Sequence, residues 1–203
     1  MNKILADMHT HTIASGHAYA TLTEMCKEAA NKGLEIYGIT EHSSGIPGTC
    51  ADIYFQNLRV VPRDLFGLDL RLGAEINIID YNGTLDFDQK YIDRLDFVIA
   101  GIHSVCYKFG SKEENTAAII NAIKNPNVNI ISHPDDGRCP LDYEALVQAA
   151  KEYHVLLEIN NNALRDKNRK NVKENQKLII ENCKKYNLSL IHISEPTRLL
   201  SIS

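Results

Sequence analysis

Six short runs of apolar and β-branched residues recur along the chain, and nearly every one stops at a histidine or an acid. They read "KILADMH", "EIYGITEH", "LRLGAEINI", "DFVIAGIHS", "VNIISHP" and "VLLEINNN". Longer stretches with helical spacing lie between several of them. "TLTEMCKEAANKG" opens with Thr21 and Glu24 at capping-box spacing and closes on Gly33. "KEENTAAIINAIKN" sets Ala117, Ile120 and Ile123 on one face before Pro126 forces an end. "DYEALVQAAKEYH" offers Asp142 as N-cap with Leu146, Ala149 and Ala150 inward, and "NVKENQKLIIENCKKYN" is a further amphipathic stretch. Residues 43–67 read as a loop followed by an irregular helix. Strand alternating with helix predicts the α/β class: a parallel sheet covered by helices, either open or closed into a barrel. No internal repeat or linker-like tract breaks the pattern, so one domain is expected.

Parallel strands bring their C-terminal ends to a common rim, where a barrel gathers its reactive groups. His9 and His11 close the first run, Glu41 and His42 the second, Glu75 the third, His103 the fourth and His133 the fifth. His17 follows within "DMHTHTIASGHAYATL". Imidazole with carboxylate is the ligand set of zinc and similar divalent ions. Seven such groups exceed the needs of one tetrahedral ion. They imply two or three divalent metals, with Glu75 placed to bridge a pair. Clustered ions of this kind serve phosphoryl transfer, because they acidify water and clamp the attacking and leaving oxygens. A single histidine of this set is as easily structural. Its repetition at strand end after strand end is what chance does not supply.

Bulk properties narrow the field. A net charge of −4 over 203 residues provides no basic face, so no stable nucleic-acid partner is expected. The first residues are too short and too polar for a signal peptide, and no apolar run reaches membrane-spanning length. Five scattered cysteines without a C-x-x-C pair read as reduced thiols. A cytoplasmic location follows.

With those motifs together, "HTHTIASGHAY", "GITEH", "GAEINI", "AGIH", "ISHPD" and "LEINNN" resemble the PHP (polymerase and histidinol phosphatase) superfamily, nearest its YcdX-type phosphatase branch, from Ile4 to about Leu190. The resemblance implies a distorted (β/α)7 TIM-like barrel and a trinuclear centre, zinc first, with manganese or iron in some members. By position, one metal takes His9, His11 and bridging Glu75, a second Glu75, His103 and His133, and a third His17 and His42. The implied catalyst is a metal-bound hydroxide held by His9, His11 and Glu75. The family finishes its site with a Gly-Ser-Asp-x-His segment, and this chain instead reads "HISEPTRLLSIS" after Leu190. Residues 191–203 are therefore expected to be a non-native tail on a truncated, incomplete barrel, with His192 an accidental histidine.

A small phosphorylated substrate needs cations or amide donors near the metals. Arg59, Arg63, Asn160 and Asn161 are the candidates, with Arg138 and Arg165 behind them. Glu41 is placed to orient a ligand imidazole. Cys106 reads as a loop thiol, and His154 as a surface residue at a helix end. The expected function is hydrolysis of small phosphomonoesters by a metal-dependent phosphatase, oligomeric state unspecified. Three alternatives stand beside it: a catalytically impaired metal-binding fragment, an amidohydrolase-type metal hydrolase, and a PHP-type 3′-5′ exonuclease.

Overall fold

A computed structural model of the chain describes residues 4–193, with side chains through Leu190. The expectation of a non-native tail lies, for residues 194–203, outside the described residues, as does the side chain of His192. The described residues form two compact units. One holds residues 4–75 and 87–98 with Ile193, and the other holds Ile76–Asp86 and Ile99–His192.

In the first unit, strands β1 (Ala6–Asp7), β2 (Ile36–His42) and β4 (Leu68–Asn77, through Glu75) run parallel. Helix α1 (Leu22–Asn31) joins β1 to β2. Its capping box is the predicted one: Thr21 accepts from the Glu24 backbone N–H while the Glu24 carboxylate accepts from that of Thr21. Gly33 follows at φ 76°, a conformation open to glycine. Residues 43–67 hold a loop, the short helix α2 (Ile53–Asn57) and a 3₁₀ turn, as predicted. They end in a hairpin that the sequence pattern did not reveal. Strand β3 (Asp64–Leu65) pairs antiparallel with β4 across Phe66 and Gly67, both at positive φ, as tight hairpin turns require. Helix α3 (Gln89–Ile92) completes this unit.

Strand β4 shows why its sequence alternates only at first. Asp69 and Arg71 face outward between buried Leu68, Leu70 and Leu72, and every residue from Leu72 to Asn77 is buried. Close approach demands glycine twice. A Cβ on Gly38 would meet the Met8 backbone at 2.6 Å, and one on Gly73 would meet the Phe97 carbonyl oxygen at 2.7 Å.

The second unit repeats strand and helix: β5 (Phe97–Gly101, from Ile99), α4 (Lys112–Ile123), β6 (Ile130–Ile131), α5 (Tyr143–Glu152), β7 (Leu156–Asn160), α6 (Val172–Tyr186) and β8 (Leu190–Ile193, through His192). Ile99 sits beside Ile130 and Ile130 beside Leu156 in parallel register. Helix α5 packs against both α4 and α6. Asp142 caps α5, and Leu146, Ala149 and Ala150 are buried, as predicted. Helix α4 is rotated from the expected face. Ala117 is exposed and Ile120 half-buried, while Asn115, Ala118, Ile119, Ala122 and Ile123 are buried. Buried Asn115 turns the helix. Its amide donates to the carbonyls of Gly110 and Pro140, and its oxygen accepts from Gly110 N–H and Tyr107 Oη.

Candidate metal centre

The chain leaves β1 at Asp7, so His9 and His11 lie beyond the strand and share a direction for a reason other than strand pleat. Thr10, between them, is tied to β2. Its hydroxyl donates to Gly38 O at 2.6 Å, its N–H donates to Thr40 Oγ1 at 3.1 Å, and its carbonyl accepts from Thr40 N–H at 2.9 Å. With Thr10 facing β2, its two neighbours face away from it. His9 Nε2 and His11 Nε2 stand 3.1 Å apart, and both rings are fully buried.

The β2–β4 register sets His42 beside Glu75 at the C-terminal ends of the two strands. One carboxylate oxygen, Glu75 Oε2, then lies 3.0 Å from His9 Nε2, 3.3 Å from His11 Nε2 and 3.1 Å from His42 Nδ1. His17 completes the group, its ring centroid 4.9 Å from that of His11 and 5.0 Å from that of His42. His17 alone of the five is exposed. Two overlapping sets have all their ligand atoms within 4.8 Å of one another: His11, His17 and His42, and His9, His11 and Glu75. A carboxylate oxygen has two lone pairs to offer and here meets three imidazole nitrogens. This buried set of nitrogens and a carboxylate fits a divalent transition metal in donor type and spacing.

Glu41 is fully buried and acts one bond further out than its place beside His42 suggests. It accepts from the Thr12 hydroxyl and N–H and from the Ser15 hydroxyl. Ser15 Oγ in turn lies 3.0 Å from His11 Nδ1 and accepts from the His42 N–H at 3.2 Å. Thr12 caps the 3₁₀ turn Ile13–Ser15, which carries Ser15 to that position.

In the second unit, His103 follows β5 and His133 follows β6, with ring centroids 5.0 Å apart. His103 Nδ1 lies 2.7 Å from Asn77 Oδ1. Asp86 holds Asn77 with both carboxylate oxygens, one on its N–H at 2.8 Å and one on its Nδ2 at 2.6 Å. His133 has φ 32°, a positive value that is rare outside glycine, and its N–H donates to the buried Glu158 carboxylate at 2.5 Å. Burial raises the Asp135 pKa, outweighing its Gln176 and Arg169 partners.

The PHP domain model matches residues 7–194, nearly the whole chain. The chain belongs to the PHP family. Among its PHP relatives, an Acetivibrio thermocellus protein named "probable phosphatase" is 45% identical over 189 residues, covering 93% of this chain and 78% of its own. The solved histidinol phosphate phosphatase of Lactococcus lactis, complexed with zinc, L-histidinol and phosphate, superposes with a TM-score of 0.64 at 18% identity. That match covers 96% of this chain and 86% of that one. A solved Listeria monocytogenes protein gives 0.69 at 14% identity, covering 98% and 97%. These likenesses show the fold, the TIM-like barrel class that the family resemblance implied.

The other residues singled out in this PHP chain have varied surroundings. Arg63 is not brought to His42 and Glu75. It sits at the opposite end of β4, where its carbonyl accepts from the Leu70 N–H, and its guanidinium is engaged by Asp96 at 2.7 Å and by the carbonyls of Leu58 and Val61. Arg59 is exposed on the 3₁₀ turn before it. Asn160 is buried and committed to Glu158 and to the Ala163 N–H, while Asn161 is half-buried. Arg138 pairs with Asp136 at 2.6 Å, Arg165 and His154 are exposed, and Cys106 is half-buried. Sequence reading passed over Ser15, Thr12, Asn77 and Asp86. Two of these had a local signal: Ser15 lies four residues after His11, and Asn77 shares a strand face with Glu75. Asp86 had none, since only the turn after β4 brings it back.

Proposed function

We propose that this protein is a metal-dependent phosphatase of small phosphomonoesters, a hydrolase of phosphoric ester bonds. Two to three divalent ions, zinc first and manganese or iron as alternatives, would be held by His9, His11, His17, His42 and Glu75 in the first unit and by His103 and His133 in the second. Such ions supply Lewis acidity, making a water nucleophilic at neutral pH and neutralising charge on phosphoryl oxygens. The observation that carries this reading is Glu75 Oε2 with three imidazole nitrogens at 3.0–3.3 Å. The PHP membership and the phosphatase names of its relatives support it.

The chain's own residues divide the work. Glu75, at the end of β4, supplies the carboxylate common to the first unit's donors. Burial of His9, His11 and Glu75 excludes bulk water from that side, and exposed His17 marks the edge that a substrate can approach. The side chains of Arg59 and Asn161 make no hydrogen bond among the described residues. That leaves them available to an anion, whereas Asn160 would act by holding Glu158. No helix among the described residues is long and apolar enough to cross a membrane. A cytoplasmic location belongs to this reading.

Elemental analysis of the purified chain, with p-nitrophenyl phosphate and its diester as substrates, tests the proposal. Two or more metal equivalents with monoester turnover is the expected result. Metal without turnover would identify the impaired fragment. Turnover confined to single-stranded DNA would favour the exonuclease, and cleavage of amides alone the amidohydrolase type. A chain that binds no divalent metal at micromolar concentration would overturn the reading.

A further inference from the structure

We infer that Ser15 and Asn77 are positioning residues that set the tautomers of His11 and His103, each backed by a buried or half-buried acid. The inference rests on the metal-binding reading only for its purpose; its geometry stands without it. Proton bookkeeping carries it. The Glu41 carboxylate offers only acceptors, so the proton between it and Ser15 belongs to the serine hydroxyl. Having donated its single proton, Ser15 Oγ can only accept, and it does so from the His42 N–H and from His11 Nδ1. His11 therefore carries its proton on Nδ1. Its Nε2, facing Glu75 at 3.3 Å and His9 at 3.1 Å, keeps the lone pair that a metal ligand must offer.

The second unit reaches the same end with different residues. Asp86 accepts from the Asn77 N–H and Nδ2 together, which fixes the amide with its oxygen toward His103. An amide oxygen cannot donate, so His103 Nδ1 is the protonated nitrogen across that 2.7 Å contact. Two unrelated chains of groups, acid to hydroxyl to imidazole and acid to amide to imidazole, thus impose one tautomer on two proposed ligands.

Ring-nitrogen NMR of the chelator-stripped full chain tests this directly, since protonated and bare ring nitrogens differ widely in shift. A protonated Nδ1 is expected on both His11 and His103. Ser15→Ala should move His11 proton occupancy toward Nε2 and leave His103 unchanged, and Asn77→Leu should do the reverse. Ser15→Thr, which keeps the hydroxyl, should restore the wild-type signature. Zinc titration against a competing chelator should show a roughly ten- to hundredfold affinity loss in Ser15→Ala and recovery in Ser15→Thr. A bare Nδ1 on His11 in the wild-type chain overturns the inference, and that measurement needs no variant to fold. An unchanged tautomer and zinc affinity in folded Ser15→Ala also overturns it. Protonated Nδ1 atoms in a wild-type chain that takes up no zinc would sustain the tautomer assignment while removing the metal reading.

Discussion

Thr10 shows how little of a site needs to be a ligand. Its hydroxyl, N–H and carbonyl all bond to Gly38 or Thr40, and this decides that His9 and His11 face Glu75. Thr10→Val keeps the shape and removes the hydroxyl, leaving the Gly38 carbonyl without that donor. A stability loss of about 1–3 kcal/mol is expected in urea melts. A larger fractional loss of metal affinity than of secondary structure should accompany it, and intact affinity would show that Thr10 does not place the pair. The ligand candidates themselves were legible because histidine and glutamate recur where apolar runs stop. Ser15 and Asn77, which stand against His11 and His103, carried only a local signal and Asp86 none, because serine, asparagine and aspartate do not recur where apolar runs stop. Arg63 was misread for a related reason: the chain reverses at Phe66 and Gly67, which sends it to the far end of β4.

At the level of elements, hydrophobic spacing located α1, α4, α5 and α6 but missed the one-turn α3 (Gln89–Ile92) and failed to orient α4. The spacing of Ala117, Ile120 and Ile123 is helical, yet a buried amide with four partners outweighs fuller burial of Ala117 and Ile120. Asn115→Ala should therefore destabilise the chain by about 1–3 kcal/mol, because it strands the groups of Gly110, Pro140 and Tyr107, whereas Ala117→Ser should be neutral. Equal effects in thermal melts would return the helix to its sequence-predicted face. Helix α5 offers a change in the other direction. Exposed His154 follows it at φ 59°, a left-handed conformation that favours glycine at a helix end. His154→Gly is expected to stabilise by about 0.5–1 kcal/mol, read as a higher melting temperature with metal content unchanged. The short reach of β1, two residues against a seven-residue apolar run, was beyond sequence reading because the Thr10 bonds to β2 take over where pairing stops.

For the whole chain, the family and its phosphatase relatives were legible because seven histidines and acids follow the apolar runs in a fixed order along the sequence. Two consequences extend to global stability. If folded chain binds zinc and unfolded chain does not, zinc at about a hundred times its dissociation constant adds about 2.7 kcal/mol. Chelation should then lower the melting temperature by roughly 5–10 °C, and zinc should restore it. The second consequence concerns alkaline pH. Burial pushes the thiols of Cys26, Cys50 and Cys183 up to about 11 and that of Cys139 to about 12, from a usual value of 9.0. In each case the folded state favours the protonated thiol more than the unfolded chain does. The stabilisation is therefore complete below pH 9 and is lost as pH rises through 11 to 12. Urea melts should give constant stability from pH 7 to 8.5 and a steady decline above pH 9, with unchanged dependence on denaturant. Cys139→Ala, which removes the most strongly shifted thiol, should make the decline shallower. A flat profile to pH 11 would mean that these thiols reach water in the native protein, and native thiol labelling would then detect Cys139 as readily as half-buried Cys106.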